Sequence, residues 1–112
     1  MGGLSVLLSR IDEFAKRAPD WDGDGGVAPN EDAVMDAKAF LNSLDSEFAS
    51  RASTLSPGDG EVLFQWRRGA AFIEVGFYGD GTISWYARNA DGKSLHADTP
   101  FDRTAWRSRF SD

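Results

Sequence analysis

Residues 62–87 read VLFQWRRGAAFIEVGFYGDGTISWYA. Apolar side chains alternate through three runs: Val62, Phe64 and Trp66, then Ile73, Val75 and Phe77, then Ile83, Trp85 and Ala87. A period of two is the mark of a half-buried strand. Arg67-Arg68-Gly69 and Tyr78-Gly79-Asp80-Gly81 separate the runs, and Asn89-Ala90-Asp91-Gly92 follows the third. Such stretches supply Gly or Asp for the positive φ of hairpin turns. The segment therefore predicts three antiparallel strands in a meander. Lys93 to Ala97 would add a fourth, weaker strand.

The period changes on the N-terminal side. Leu4, Leu7, Leu8, Ile11, Phe14 and Ala15 fall on one helical stripe, with Arg10, Asp12, Glu13, Lys16 and Arg17 opposite. This predicts a helix over about 3–17, ended by Pro19, which disfavours helical geometry at Ala18. Val34, Ala37, Leu41, Leu44 and Phe48, with Phe40 beside them, predict a second helix over about 30–49. Glu31, Asp32 and Asp36 lie in its early turns, at the positive end of the helix dipole. Arg51 to Gly60 reads as a loop. Thr99-Pro100-Phe101-Asp102 reads as a helix start, with Ala105, Trp106 and Phe110 forming a short final helix. The expected fold is α+β: two N-terminal helices packed on a three- to four-stranded antiparallel β-meander, with a short C-terminal helix.

Length and composition bound the rest. The chain has 112 residues, no cysteine and one histidine, which suits a single domain over 1–112. Disulfides, thiolate metal sites and thiol catalysis are excluded. No apolar run is long enough to span a bilayer. The N-terminal run has no basic start and reads as a poor signal peptide. The expected location is cytoplasmic.

The charge is lopsided. Residues 18–50 hold eight acids (Asp20, Asp22, Asp24, Glu31, Asp32, Asp36, Asp45 and Glu47) and one base, Lys38, within a chain of net charge −6. Such a surface repels phosphates, so no direct nucleic-acid binding is expected there. It suits a basic protein surface. In the C-terminal half, Arg67, Arg68, Arg88, Arg103, Arg107 and Arg109 interleave with Trp and Tyr. That pattern can serve as a single-strand platform or as cross-strand pairing on a solvated face. The near-zero net charge of the region favours the second.

Asp20-Trp21-Asp22-Gly23-Asp24-Gly25-Gly26-Val27-Ala28-Pro29-Asn30-Glu31 resembles the twelve-position loop of an EF-hand. Acids stand at positions one, three, five and twelve, and glycine at six. Calcium takes six to eight oxygens at roughly 2.3–2.6 Å. The resemblance implies Asp20, Asp22, Asp24, the Gly26 carbonyl and Glu31 as ligands. Ala28 at position nine offers no side-chain oxygen, so a water would complete the set. Trp21-Asp22-Gly23, Gly25-Gly26, Pro29, the helix with Phe40-Leu41 and the strand with Trp66 also resemble a group of small uncharacterised bacterial proteins with a Trp-Asp-Gly turn. That likeness implies a fold and no chemistry. In it Trp21 plugs the core and Asp22 caps the turn.

Catalytic signals are sparse. His96 and Asp98 share one side of a strand and could form a general base. No nucleophile elbow, phosphate loop or dinucleotide fingerprint occurs. Glu61 and Glu74 lie on strands without a pattern that pairs them.

The expected function is non-enzymatic. The chain reads as a small acidic protein that occupies another protein's basic surface: a regulator, an antitoxin or immunity protein, or a phage-encoded inhibitor of a host defence complex. Asp32, Asp36, Asp45 and Glu47 are the expected contact residues. The alternative is a single-site calcium-binding domain. Trp66, Trp85, Tyr78 and Tyr86 exceed what one small core can hold, which leaves homodimerisation through the sheet open.

Overall fold

The computed structural model describes residues 3–17 and 26–103. Three helices precede five strands: α1 (Gly3–Ala15), α2 (Glu31–Ser43), α3 (Ser46–Ser50), β1 (Ser53–Leu55), β2 (Val62–Arg68), β3 (Ala71–Phe77), β4 (Thr82–Arg88) and β5 (Ser94–Pro100). The strands form one antiparallel sheet in sequence order. The fold is the expected α+β meander with one strand more than expected.

The period-two reading fixes which way the sheet faces. Phe64 pairs with Val75 and Val75 with Trp85, while Trp66 pairs with Ile73 and Ile73 with Ala87. These residues look inward, under the helices. Leu7 and Ile11 of α1 and Val34, Ala37, Phe40 and Leu41 of α2 meet them in one hydrophobic cluster. Phe40 is the centre: its ring lies 5.3 Å from Phe77, 6.0 Å from Phe64 and 6.5 Å from Trp66. The opposite face of the sheet carries Gln65, Arg67, Phe72, Glu74, Tyr86, Arg88, His96 and Asp98 by the same alternation.

Three expectations need correction. The second helix is not continuous. Leu44 is extended (φ −84°, ψ 158°), and the Asp45 carboxylate accepts from the Phe48 amide at 3.2 Å to cap α3. An N-cap acid inside an apolar stripe starts a new helix because it satisfies an amide the old one leaves free. The turn stacks Phe48 on Trp66, 4.8 Å between rings, and the Trp66 indole donates to the Phe48 carbonyl at 2.8 Å.

Second, the expected loop 51–60 contains β1, whose inward residue is Thr54. Its hydroxyl donates to the Leu63 carbonyl at 3.1 Å. Third, Thr99 and Pro100 end a strand and do not start a helix. Pro100 sits on an edge strand, where its missing N–H is tolerated, and pairs with Thr82. Phe101 then turns inward, its amide bonded to the Gly81 carbonyl at 2.8 Å and its ring 5.1 Å from Phe77. The expected helix around Ala105, Trp106 and Phe110 lies outside the described residues. No helix among the described residues is long and apolar enough to cross a membrane.

Candidate functional site

The meander sorts charge by end. At the end where β2 and β4 begin and β3 and β5 finish, the turns bring together acids distant in sequence. Asp59 and Glu61 precede β2, Asp80 lies in the β3–β4 turn, Asp98 is near the end of β5, and Asp102 follows it. The start of α2 joins them. Asn30 caps α2 by accepting from the Ala33 amide at 2.8 Å, and its side-chain amide donates to the Tyr78 carbonyl at 3.2 Å. That contact sets Glu31 and Asp32 beside the turn. The turn approaches so closely that a Cβ on Gly79, at φ +79°, would overlap Asn30 and the Ala33 amide.

The bases at this end include Arg17, which donates to the Ser56 carbonyl at 3.3 Å just past β1, and Arg103. The Arg103 guanidinium donates to Asp36 at 2.8 Å and reaches Asp32 at 3.4 Å. Hydrogen bonding to Asp36 raises its already high pKa further. Arg103 thereby ties the end of the sheet to α2.

The four expected contact residues therefore do not share a face. Asp36 is 4% exposed and committed to Arg103, so it is not a surface acid. Asp45 caps α3, and Glu47 pairs with Arg51 at 2.6 Å. Asp32 remains at the acidic end, with a side chain 64% exposed. Helix α2 runs on from Asp32 for about 16 Å to Ser43 at 1.5 Å per residue, and Asp45 lies beyond that end.

Of the expected calcium ligands, Asp20, Asp22 and Asp24 lie outside the described residues. Glu31 is exposed in the first turn of α2 and Gly26 is buried. Val27 pairs with Asp59 in a parallel bridge: its amide donates to the Gly58 carbonyl at 2.8 Å, and its carbonyl accepts from Gly60 at 3.1 Å. No group of three or more metal-ligating side chains occurs among the described residues.

Glu61 is the residue sequence reasoning missed. It is 9% exposed although it adjoins the solvated face. Its carboxylate lies over Gly76, where a Cβ would overlap it. Burial first, then the charges of Asp59 and Glu74, push its pKa up to about 7, against a smaller lowering from Tyr78. The Tyr78 hydroxyl donates to Asp59 at 2.7 Å, which with partial burial raises the phenol's own pKa. The sequence signal was Gly76: a glycine within a strand marks a close approach. Glu61, Glu74, Tyr86, His96 and Asp98 line a polar hollow of about 190 Å³. His96 and Asp98 make no hydrogen bond to one another among the described residues.

The other end of the sheet is basic. Arg67 and Arg68 close β2, Arg88 closes β4, Lys93 precedes β5, and Arg51 stands beside Trp66. Two hollows meet at Phe72. One, of about 490 Å³, is lined by Phe48, Arg51, Trp66, Arg67 and Arg68. The other, of about 790 Å³, is lined by Ile73, Ala87, Arg88, Lys93 and Leu95. Comparison with family models, curated proteins and solved structures finds no match to this chain.

Proposed function

We propose that the protein is a small non-enzymatic binding protein that occupies a basic surface of a partner protein through its acidic end. A regulator or inhibitor acting by occupancy fits this reading. One observation carries it: acids from four separate segments, Glu31 with Asp32, Asp59, Asp80 and Asp98 with Asp102, converge at the end of the sheet that is closed by Arg103. Its charge is already shared with Asp36 and Asp32. Clustered like charge raises the rate at which an opposite surface is encountered. The contact set differs from the sequence expectation. Asp32 stays, Glu31 joins it, and Asp36 is withdrawn to its role under Arg103.

The test is affinity capture with wild-type protein and a Glu31→Lys/Asp32→Lys variant, followed by association kinetics on each partner identified. Calcium and chelator arms run in parallel. The reading expects a partner with a basic contact surface whose association slows roughly tenfold with the variant at low salt. Capture that is equal for both proteins would overturn it. Capture that requires calcium, survives Asp32→Lys alone and is lost with Glu31→Gln would move the function to loop 20–31.

A further inference from the structure

We propose that the basic end of the sheet, centred on Phe72, binds single-stranded nucleic acid. The inference uses a different surface from the reading above and does not depend on it.

Antiparallel sheets often leave one face to solvent, and that face is ordinarily polar. Here it carries two aromatic rings on adjacent central strands, Phe72 of β3 and Tyr86 of β4, 6.1 Å apart. Both are half-buried and neither lies under a helix. Phe72 pairs with Arg67 on one side and Arg88 on the other, and Ser94 follows in register. The Arg67 guanidinium lies over the Phe72 ring at 4.7 Å. Bases stack on aromatic rings and on guanidinium planes alike, whatever their sequence. Lys93, one residue before Ser94, adds a further positive charge at the same end of the sheet. None of Arg67, Arg68, Arg88 and Lys93 has a carboxylate partner among the described residues, and Asp91 is the one acid in the adjoining turn.

The net charge of −6 does not oppose this. Among the described residues, Glu47 at this end is paired with Arg51, and the cluster of Glu31, Asp32, Asp59, Asp80 and Asp102 sits at the far end of seven-residue strands, about 20 Å away at roughly 3.3 Å per residue. The Debye length is about 8 Å at physiological salt, so that repulsion is largely screened. Near-zero regional charge was the sequence argument against a polyanion, and the fold removes it by separating the signs. Glu74, one row further along the face, accepts from Gln65 at 2.7 Å. It bars phosphates from that row. The strand would therefore run across the sheet along Arg67, Phe72, Arg88 and Ser94, with bases against Tyr86 and the Arg67–Phe72 pair.

The experiment titrates the full chain into labelled oligothymidylate and oligouridylate of roughly ten nucleotides, read by fluorescence anisotropy from about 50 to about 200 mM salt. Saturable binding is expected. Its log–log salt slope should be about −0.7 for each phosphate contacted, or about −2 for three. Phe72→Leu should weaken binding roughly tenfold without changing the slope. Arg88→Glu should weaken it and flatten the slope by about one. Tyr86→Leu provides a second ring variant should Phe72→Leu unfold, as judged by circular dichroism. A preference between the two oligomers assigns RNA or DNA. Three results would overturn the proposal: no saturable binding by the wild type, equal affinity in the folded ring and Arg88 variants, or equal competition by duplex. A concentration-dependent dimer in sedimentation that Phe72→Leu abolishes, without oligonucleotide binding, would hand this face to a second copy.

Discussion

Glu61 and Gly76 show how one residue's chemistry depends on another's absence of a side chain. Burying a carboxylate disfavours its charged form, and Asp59 and Glu74 add to that. The folded chain therefore keeps a proton on Glu61 up to about pH 7, where an ordinary glutamate releases it near 4.5. Between those values the folded state binds more protons than the unfolded state, so stability falls as pH rises. The stabilisation is complete below the unfolded value and lost through the folded one, on the order of 2–3 kcal/mol in all. Urea unfolding at stepped pH should show that decline, and Glu61→Gln should flatten it. A wild-type profile already flat across the window would refute the assignment. The same geometry makes Gly76→Ala costly, about 2 kcal/mol as an overpacking change. Most of that cost should vanish in a Glu61→Ala background, because the added methyl would then meet no carboxylate. Equal costs in both backgrounds would mean that the clash lies elsewhere.

At the level of elements, legibility followed amplitude. Strands β2, β3 and β4 were readable because each puts large apolar residues on every second position against Gly-containing turns. β1 was not, because a three-residue edge strand whose inward side chain is Thr54 has no apolar alternation to detect. The break between α2 and α3 was hidden for the opposite reason. Leu44 and Phe48 continue the helical stripe, and only Asp45 betrays the new cap. Pro100 misled because Pro near Thr suits both a helix start and the end of an edge strand. Tertiary contacts decided for the strand, through the Thr99 hydroxyl accepting from the Trp85 indole at 3.2 Å. The acidic candidate site was half legible. The sequence marked α2 as acidic, but only the hairpin turns bring Asp59, Asp80 and Asp98 to it, and nothing linear shows Asp36 turned under Arg103. Since Asp45 is the hinge of the helical layer, Asp45→Ala should cost about 1 kcal/mol, the usual value of an N-cap. That corresponds to a melting temperature lower by about 4 °C for a domain of this size. Asp45→Asn, which still accepts a hydrogen bond, should recover most of it. If alanine and asparagine behave alike, the cap is not what sets the α2–α3 turn.

For the whole molecule, the meander is what separates charge. Adjacent antiparallel strands put every second turn at the same end, so acids in the β3–β4 turn and bases at the β2–β3 turn are driven apart regardless of their mixture along the chain. This gives the two proposed surfaces an independence that can be measured. Glu31→Lys with Asp32→Lys sits at one end and Arg88→Glu at the other, more than two Debye lengths away at physiological salt. The acidic-end reversal should slow association with a basic partner roughly tenfold and leave oligonucleotide affinity within about twofold, a coupling below 0.5 kcal/mol. Arg88→Glu should do the converse. Lowering salt to about 10 mM lengthens screening to about 30 Å, and each reversal should then begin to affect the opposite surface. Cross-effects as large as the direct ones at physiological salt would mean that the two charge clusters form one continuous surface. A single partner spanning the sheet would then replace the division of labour between its ends.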